Sequence, residues 1–166
     1  MIFRLSQKLA KKIHVGNLSH APLDENPLAD WSCHVFTAGR TQYIILTNTK
    51  SLYSCVMYGK GINSDRVFID NALNTIREFM EADGHTAVFQ KFIAPAREAV
   101  TFAKALNRSV TGSMNDHING AKLFLARNMA LHDVGFRLNE TPLSALTDAE
   151  GRNYANPKEV LEQLDK

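Results

Sequence analysis

The stretch DWSCHVFTAGRTQYIILTNTKSLYSCVMY, Asp30–Tyr58, decides the fold class. Trp31 to Thr37 is rich in β-formers and alternates along its length. Ala38-Gly39-Arg40-Thr41 is a turn. Gln42 to Thr47 holds the unbroken apolar run Tyr43, Ile44, Ile45, Leu46, which reads as a central strand covered on both faces. Asn48 to Ser51 turns the chain again, and Leu52 to Tyr58 is a third strand. Strands joined by such short polar turns pair antiparallel. The fold class is therefore α+β: an antiparallel meander over about 31–58, extended by one or two further strands and packed against helices. Trp31 opens the first strand and is expected to anchor the core rather than to stack on a ligand.

Outward toward the N-terminus, Ile2, Phe3 and Leu5 begin a short strand. Ser6 caps a brief helix, Gln7 to Ile13, with Leu9 and Ile13 inward and Lys8, Lys11 and Lys12 outward. Gly16 to Pro27, GNLSHAPLDENP, is a loop long enough to be functional.

Toward the C-terminus, Gly59 to Asn63 closes the meander, and Asn63 or Ser64 caps a helix over 65–82. Ile69, Leu73, Ile76 and Met80 line one face of it, widened by Phe68, Ala72 and Phe79. His85 to Ala94 predicts a second short helix, broken by Pro95. Val100 to Ala105 reads as a strand, with a helix continuing from Pro95 as the competing reading. Asp133 to Thr147 is expected as a loop, and Asn156-Pro157 starts a last helix that Val160, Leu161 and Leu164 dock. All 166 residues are read as one domain, without internal repeats or low-complexity segments.

Between these lies KALNRSVTGSMNDHINGAKLFLARNM, Lys104–Met129. Val110, Met114, Ile118, Ala121, Leu125 and Met129 fall on one face of a long central helix over about 110–130, with Asn107 or Ser109 as its N-cap. A strand running into that helix start, with Lys104 and Arg108 beside it, forms a candidate anion site, because free amides and the helix dipole favour negative charge. Its residues are Lys104, Asn107, Arg108, Ser109, Gly112 and Ser113. The plainer reading is that Ser109, Ser113, Asn115 and Asp116 cap the helix and solvate its outer face. Gly112 and Gly120 each cost roughly 1 kcal/mol inside a helix. Close approach of another backbone or of a ligand would justify them.

The decapeptide NRSVTGSMND, Asn107–Asp116, resembles the signature of a bacterial family of unknown function associated with plasmids and mobile elements. Leu28–Gly59 is similar to a Trp-containing strand hairpin of the same family. The family pattern has a Lys-Thr pair before the Asn-Arg-Ser, where this chain has Lys104-Ala105. The resemblance implies bacterial origin and a shared fold, and it implies no activity.

Composition narrows the function further. Hydrophobic content of 45% and charged content of 22% suit a soluble globular protein. A net charge of +2 does not announce a nucleic-acid binder. Residues 1–60 nevertheless hold seven Lys or Arg against three acids, and the remainder is net acidic by two. That asymmetry makes Lys8, Lys11, Lys12 and Arg40 a candidate basic face. Cys33 and Cys55 lie on neighbouring predicted strands and read as reduced core residues of a cytoplasmic protein. A cross-strand disulfide is the alternative in an oxidising compartment. No run approaches a membrane span, and MIFRLSQKLAKKIHV is too short in its apolar part for a secretory signal.

No dinucleotide, P-loop, zincin or nucleophile-elbow motif occurs, and no Cys/His spacing suits zinc, so no catalytic residue, metal or cofactor is expected. Asp116 and His117 are adjacent on a helix and point about 100 degrees apart, so Asp116 does not orient His117 as a triad requires. Three functions remain. The first is a non-enzymatic binding or regulatory module for an anionic ligand or an acidic protein partner. The second is a sequence-independent nucleic-acid binder. The third is a small phosphoester hydrolase or nuclease using His117 or Asp116 with the same basic residues.

Overall fold

The computed structural model describes residues 1–166. The meander forms as read: β2 (Asp30–Ala38), β3 (Thr41–Asn48) and β4 (Ser54–Tyr58) pair antiparallel. Two further strands extend it, β1 (Ile2–Leu5) and β5 (Thr101–Ala103). The sheet order is β4-β3-β2-β1-β5, and β1 runs parallel to both of its neighbours. The strand reading of residues 100–105 thus prevails, although only three residues pair.

Register settles the cysteines. Cys33 opposes Leu46, and Leu46 opposes Cys55, so β3 lies between the two thiols. Two strand spacings are about 9.5 Å, beyond the ~7 Å between Cα atoms that a disulfide can bridge. Both thiols are free and buried, and burial pushes both pKa values well up. The disulfide alternative is corrected accordingly.

Alternation along the strands divides the core into two layers. Phe3, Trp31, Cys33, Leu46 and Cys55 face the first layer, which α1 (Gln7–Lys12) and α2 (Asp65–Ala82) cover. Phe36, Tyr43, Ile45 and Val56 face the second, under α4 (Arg108–Ala126) and α5 (Leu131–Glu140). Trp31 is fully buried and donates its indole N–H to the Leu28 carbonyl at 2.9 Å, so it is the expected core anchor. Short polar caps set the helix starts. Ser6 accepts from the Leu9 amide, Ser64 from Val67 and Asn107 from Val110. Between α2 and β5 the chain makes one turn of α3 (Thr86–Val88), a wide turn over Phe89–Ile93 and a tight 3-10 turn over Ala94–Glu98. Val88, Phe89 and Ile93 dock that irregular stretch, and α6 (Pro157–Leu164) docks through Val160 and Leu161.

The end of the central helix differs from its expected bound. α4 stops at Ala126, and the chain reverses through Asn128, whose φ is 58°. The expected loop from Asp133 is instead the helix α5 up to Glu140. Its sequence HDVGFRLNE is polar and holds a glycine, so local propensity argues weakly for a helix. Packing overrides that weak local preference. Val134 and Leu138, one turn apart, bury in the second layer, and a Cβ at Gly135 would overlap the ring of Phe79. Gly120 of α4 packs similarly, with Leu138 Cδ2 3.3 Å from where its Cβ would stand.

Candidate functional site

Two adjacent parallel strands send their chains to opposite faces. β1 runs into α1 in the first layer, whereas β5 runs into α4 in the second. Outside the carboxyl ends of such a strand pair no helix fills the space, and a crevice opens. Here it lies beyond Leu5 and Ala103. β1 ends opposite Cys33, so the outer edge of β2 from His34 onward has no strand partner and floors the crevice. One side of α4 forms its wall.

Arg4 sits at the base. Phe3 and Leu5 point into the first layer, so Arg4 between them faces the α4 side, where it is only 1% exposed. Its guanidinium grips Asp30 through two bonds of 2.8 Å. The other three N–H groups go to the carbonyls of Ala21 at 2.9 Å, Pro22 at 2.8 Å and Lys104 at 3.3 Å. All five donors are thereby used. Arg4 clamps the 16–27 loop and the β5–α4 junction to the sheet, and has no N–H left over for a ligand.

The remaining charge along the crevice is positive. Lys8, Lys11, Lys104 and Lys122 line it together with His20 and His34, and no Asp or Glu does. No carboxylate lies within ion-pair distance of any of the four lysines. His34 Nδ1 is buried without a hydrogen-bond partner. Lys8 and Lys122 line the same cavity as this ring, and burial, then Lys8, then Lys122 lower the His34 pKa.

The residues singled out in the sequence separate here. Lys104, Lys8 and Lys11 line the crevice. Lys12 does not, and Arg40 stands at the tip of the β2–β3 turn. Asn107, Arg108, Ser109 and Gly112 lie exposed on the outer side of the helix start. Asn107 closes that start itself, its Oδ1 accepting from the Val110 amide at 3.0 Å. Nothing stands within 4 Å of where a Gly112 Cβ would be, so no close backbone approach explains that glycine. Ser113 is buried toward the sheet. The crevice wall is the next stripe round: Thr111, Asn115, Asn119 and Lys122, at helical spacing beside the apolar face. That polar stripe, Arg4 and His34 were not picked out in the sequence. A three-and-four spacing of polar residues flanking the apolar positions was their one visible signal.

His117 belongs to a different region. It is 2% exposed and reaches Ser54 of β4, at the opposite edge of the sheet from β5. Its Nδ1 lies 2.8 Å from Ser54 Oγ, which also meets Thr47 Oγ1 at 2.8 Å and donates to the Leu52 carbonyl at 3.0 Å. With its one proton on Leu52, Ser54 accepts from Nδ1–H, and Nε2 is left buried and unpaired. Burial lowers the His117 pKa from 6.5 to about 4, against a small upward pull from Asp116. The unfolded chain therefore takes up a proton below 6.5 that the folded chain refuses until about 4. Stability from this group is full above 6.5 and falls as pH drops toward 4, by up to about 3 kcal/mol. Urea unfolding across that range should show the loss, and His117→Leu should flatten it. Equal slopes in the two proteins would refute the assignment.

The fold and site define an α+β protein with a mixed five-stranded sheet between helical layers and a switch-point crevice. The chain matches the domain of unknown function DUF6933 over residues 2–160 and belongs to that family. No curated protein and no solved structure is detectably similar to it. No helix is long and apolar enough to cross a membrane, and no group of three or more His, Cys, Asp or Glu is placed to hold a metal ion.

Proposed function

We propose that this chain is a non-enzymatic binding or regulatory module that takes an anionic ligand in the crevice between α1, the free edge of β2 and α4. One observation carries the reading: the crevice is lined by lysines and histidines, and by no acid, in a chain that holds 17 of them. Unpaired cations around one concavity repel one another, and a bound anion relieves that repulsion. The free edge of β2 adds backbone groups that have no strand partner. The site differs from the helix start at Arg108, and of the residues named there it retains Lys104. A nucleic-acid reading would use Arg40 with the lysines of α1, but Arg40 stands in the β2–β3 turn and does not line the crevice. A hydrolase reading would use His117, which is buried against β4.

The test is thermal unfolding at low salt with inorganic phosphate, simple carboxylates and nucleotides, on the wild type and on Lys8→Gln/Lys122→Gln. At least one anion is expected to raise the wild-type melting temperature, since a ligand that binds only the folded state stabilises it by mass action. The double variant should lose most of that rise, while its unliganded melting temperature stays within about 3 °C of wild type. No shift with any anion, or equal shifts in both proteins, would defeat the proposal.

A further inference from the structure

The crevice comprises three neighbouring cavities that share lining residues. The middle one, about 330 Å³, has Ala105, Val110 and Met114 among its apolar walls, with Arg4 at its base and Ser6 and Thr111 among its polar groups. It shares Leu5, Ser6 and Ala105 with a wider opening of about 950 Å³, where Lys11, Lys104 and His20 stand. At its other end it shares His34 and Asn115 with a third cavity of about 540 Å³, where Lys8 and Lys122 stand. Between the two lysine-bearing ends the exposed wall is mainly apolar, over the fully paired Arg4 at the base.

On the α4 side the two charged ends are distinct, whereas Lys8 and Lys11 stand one turn apart on α1. Lys104 precedes the start of α4 and Lys122 lies near its end, and from Arg108 to Lys122 the helix alone rises about 21 Å. A compact anion such as phosphate pairs with one end and leaves the apolar middle in contact with water. A neutral apolar molecule fills the middle and leaves both sets of lysines unmatched. The middle volume lies within the roughly 300–1,000 Å³ typical of small-molecule sites. Resting on the crevice as an anion site, we infer that its ligand is a small molecule with an anionic group at each end and an apolar body between them, lying along α4. The apolar body covers Val110 and Met114. One anionic end meets Lys11 and Lys104, and the other meets Lys8 and Lys122.

Calorimetric titration of the full chain tests this with α,ω-dicarboxylates from succinate to tetradecanedioate, the monocarboxylates of equal length, and inorganic phosphate. Affinity should pass through an optimum at intermediate length. At that length the diacid should bind about ten-fold or more tighter than its monoacid, the effect of one further charge-assisted contact. Lys104→Gln and Lys122→Gln should each bring the diacid down to the level of the monoacid. If monoacids match diacids, or affinity is flat with length, the two-ended ligand is wrong while the anion site stands. If an acidic peptide binds more tightly than every diacid, the small-molecule inference is also wrong. If no acid binds and phosphate does not either, the crevice is not an anion site and both readings fall.

Discussion

Arg4→Met is expected to lower the free energy of unfolding by about 3–5 kcal/mol, the range for breaking a buried pair from one side. Asp30 is completely buried, and its partner is 1% exposed. Without the guanidinium the carboxylate keeps one donor, the Asp24 amide at 3.0 Å. The carbonyls of Ala21 and Pro22 also lose their donor, so two of the ties that hold the 16–27 loop to the sheet are gone. Arg4→Lys should recover little, because a single ammonium cannot reproduce the forked grip on Asp30 or reach three carbonyls at once. The double change Arg4→Met/Asp30→Leu should recover part of the loss, since removing both charges leaves no uncompensated ion. Denaturant unfolding of the four proteins measures this. A loss below about 1 kcal/mol in Arg4→Met would show that the pair is no more than a surface-like contact.

Asn139→Ala carries the second large effect, about 4 kcal/mol. β4 is an edge strand, and at Ser54 its outward N–H and C=O face no further strand. The Asn139 amide takes that place. Its Oδ1 accepts from the Ser54 N–H at 2.7 Å, and its Nδ2 donates to the Ser54 carbonyl at 2.9 Å. Both residues are buried, so truncation leaves two backbone groups without a partner, at about 1–3 kcal/mol each. Asn139→Asp is expected to be at least as damaging, because it keeps the acceptor, removes the donor and buries a charge. Amide exchange at Ser54 should speed up in both variants, while exchange in β1 changes only with global stability. Unchanged protection at Ser54 would mean that α5 does not close this edge.

The physical origin of each element explains which parts were legible beforehand. The meander could be read because alternation in its first strand, a short apolar run in its second and the turn residues between them are all local signals. α2 could be read because its cap and apolar face lie within one short stretch. Residues 100–105 stood between strand and helix because a three-residue strand holds too few side chains to show a period. α5 was missed for the opposite reason. Leu131, Val134 and Leu138 give one short apolar stripe in an otherwise mostly polar stretch, and Gly135, which counts against a helix locally, is there because the ring of Phe79 occupies the space of its Cβ. The disulfide question needed register, which places β3 between Cys33 and Cys55.

The candidate site divides in the same way. The basic character of α1 and the presence of Lys104 at a helix entry were visible in the chain. The convergence of Lys8, Lys11, Lys104 and Lys122 on one concavity was not, because it depends on β1 and β5 being neighbours whose helices leave on opposite faces. Arg4 counted only as one basic residue, yet it turned out to be the clamp under the crevice. Local chemistry thus determined the α+β class, the meander, the helix caps and the absence of familiar catalytic motifs, since each depends on residues a few positions apart. Tertiary structure alone decided the strand order, the second-layer helix α5, the buried Arg4–Asp30 pair and the acid-free crevice, because each is made by side chains brought together from distant parts of the chain.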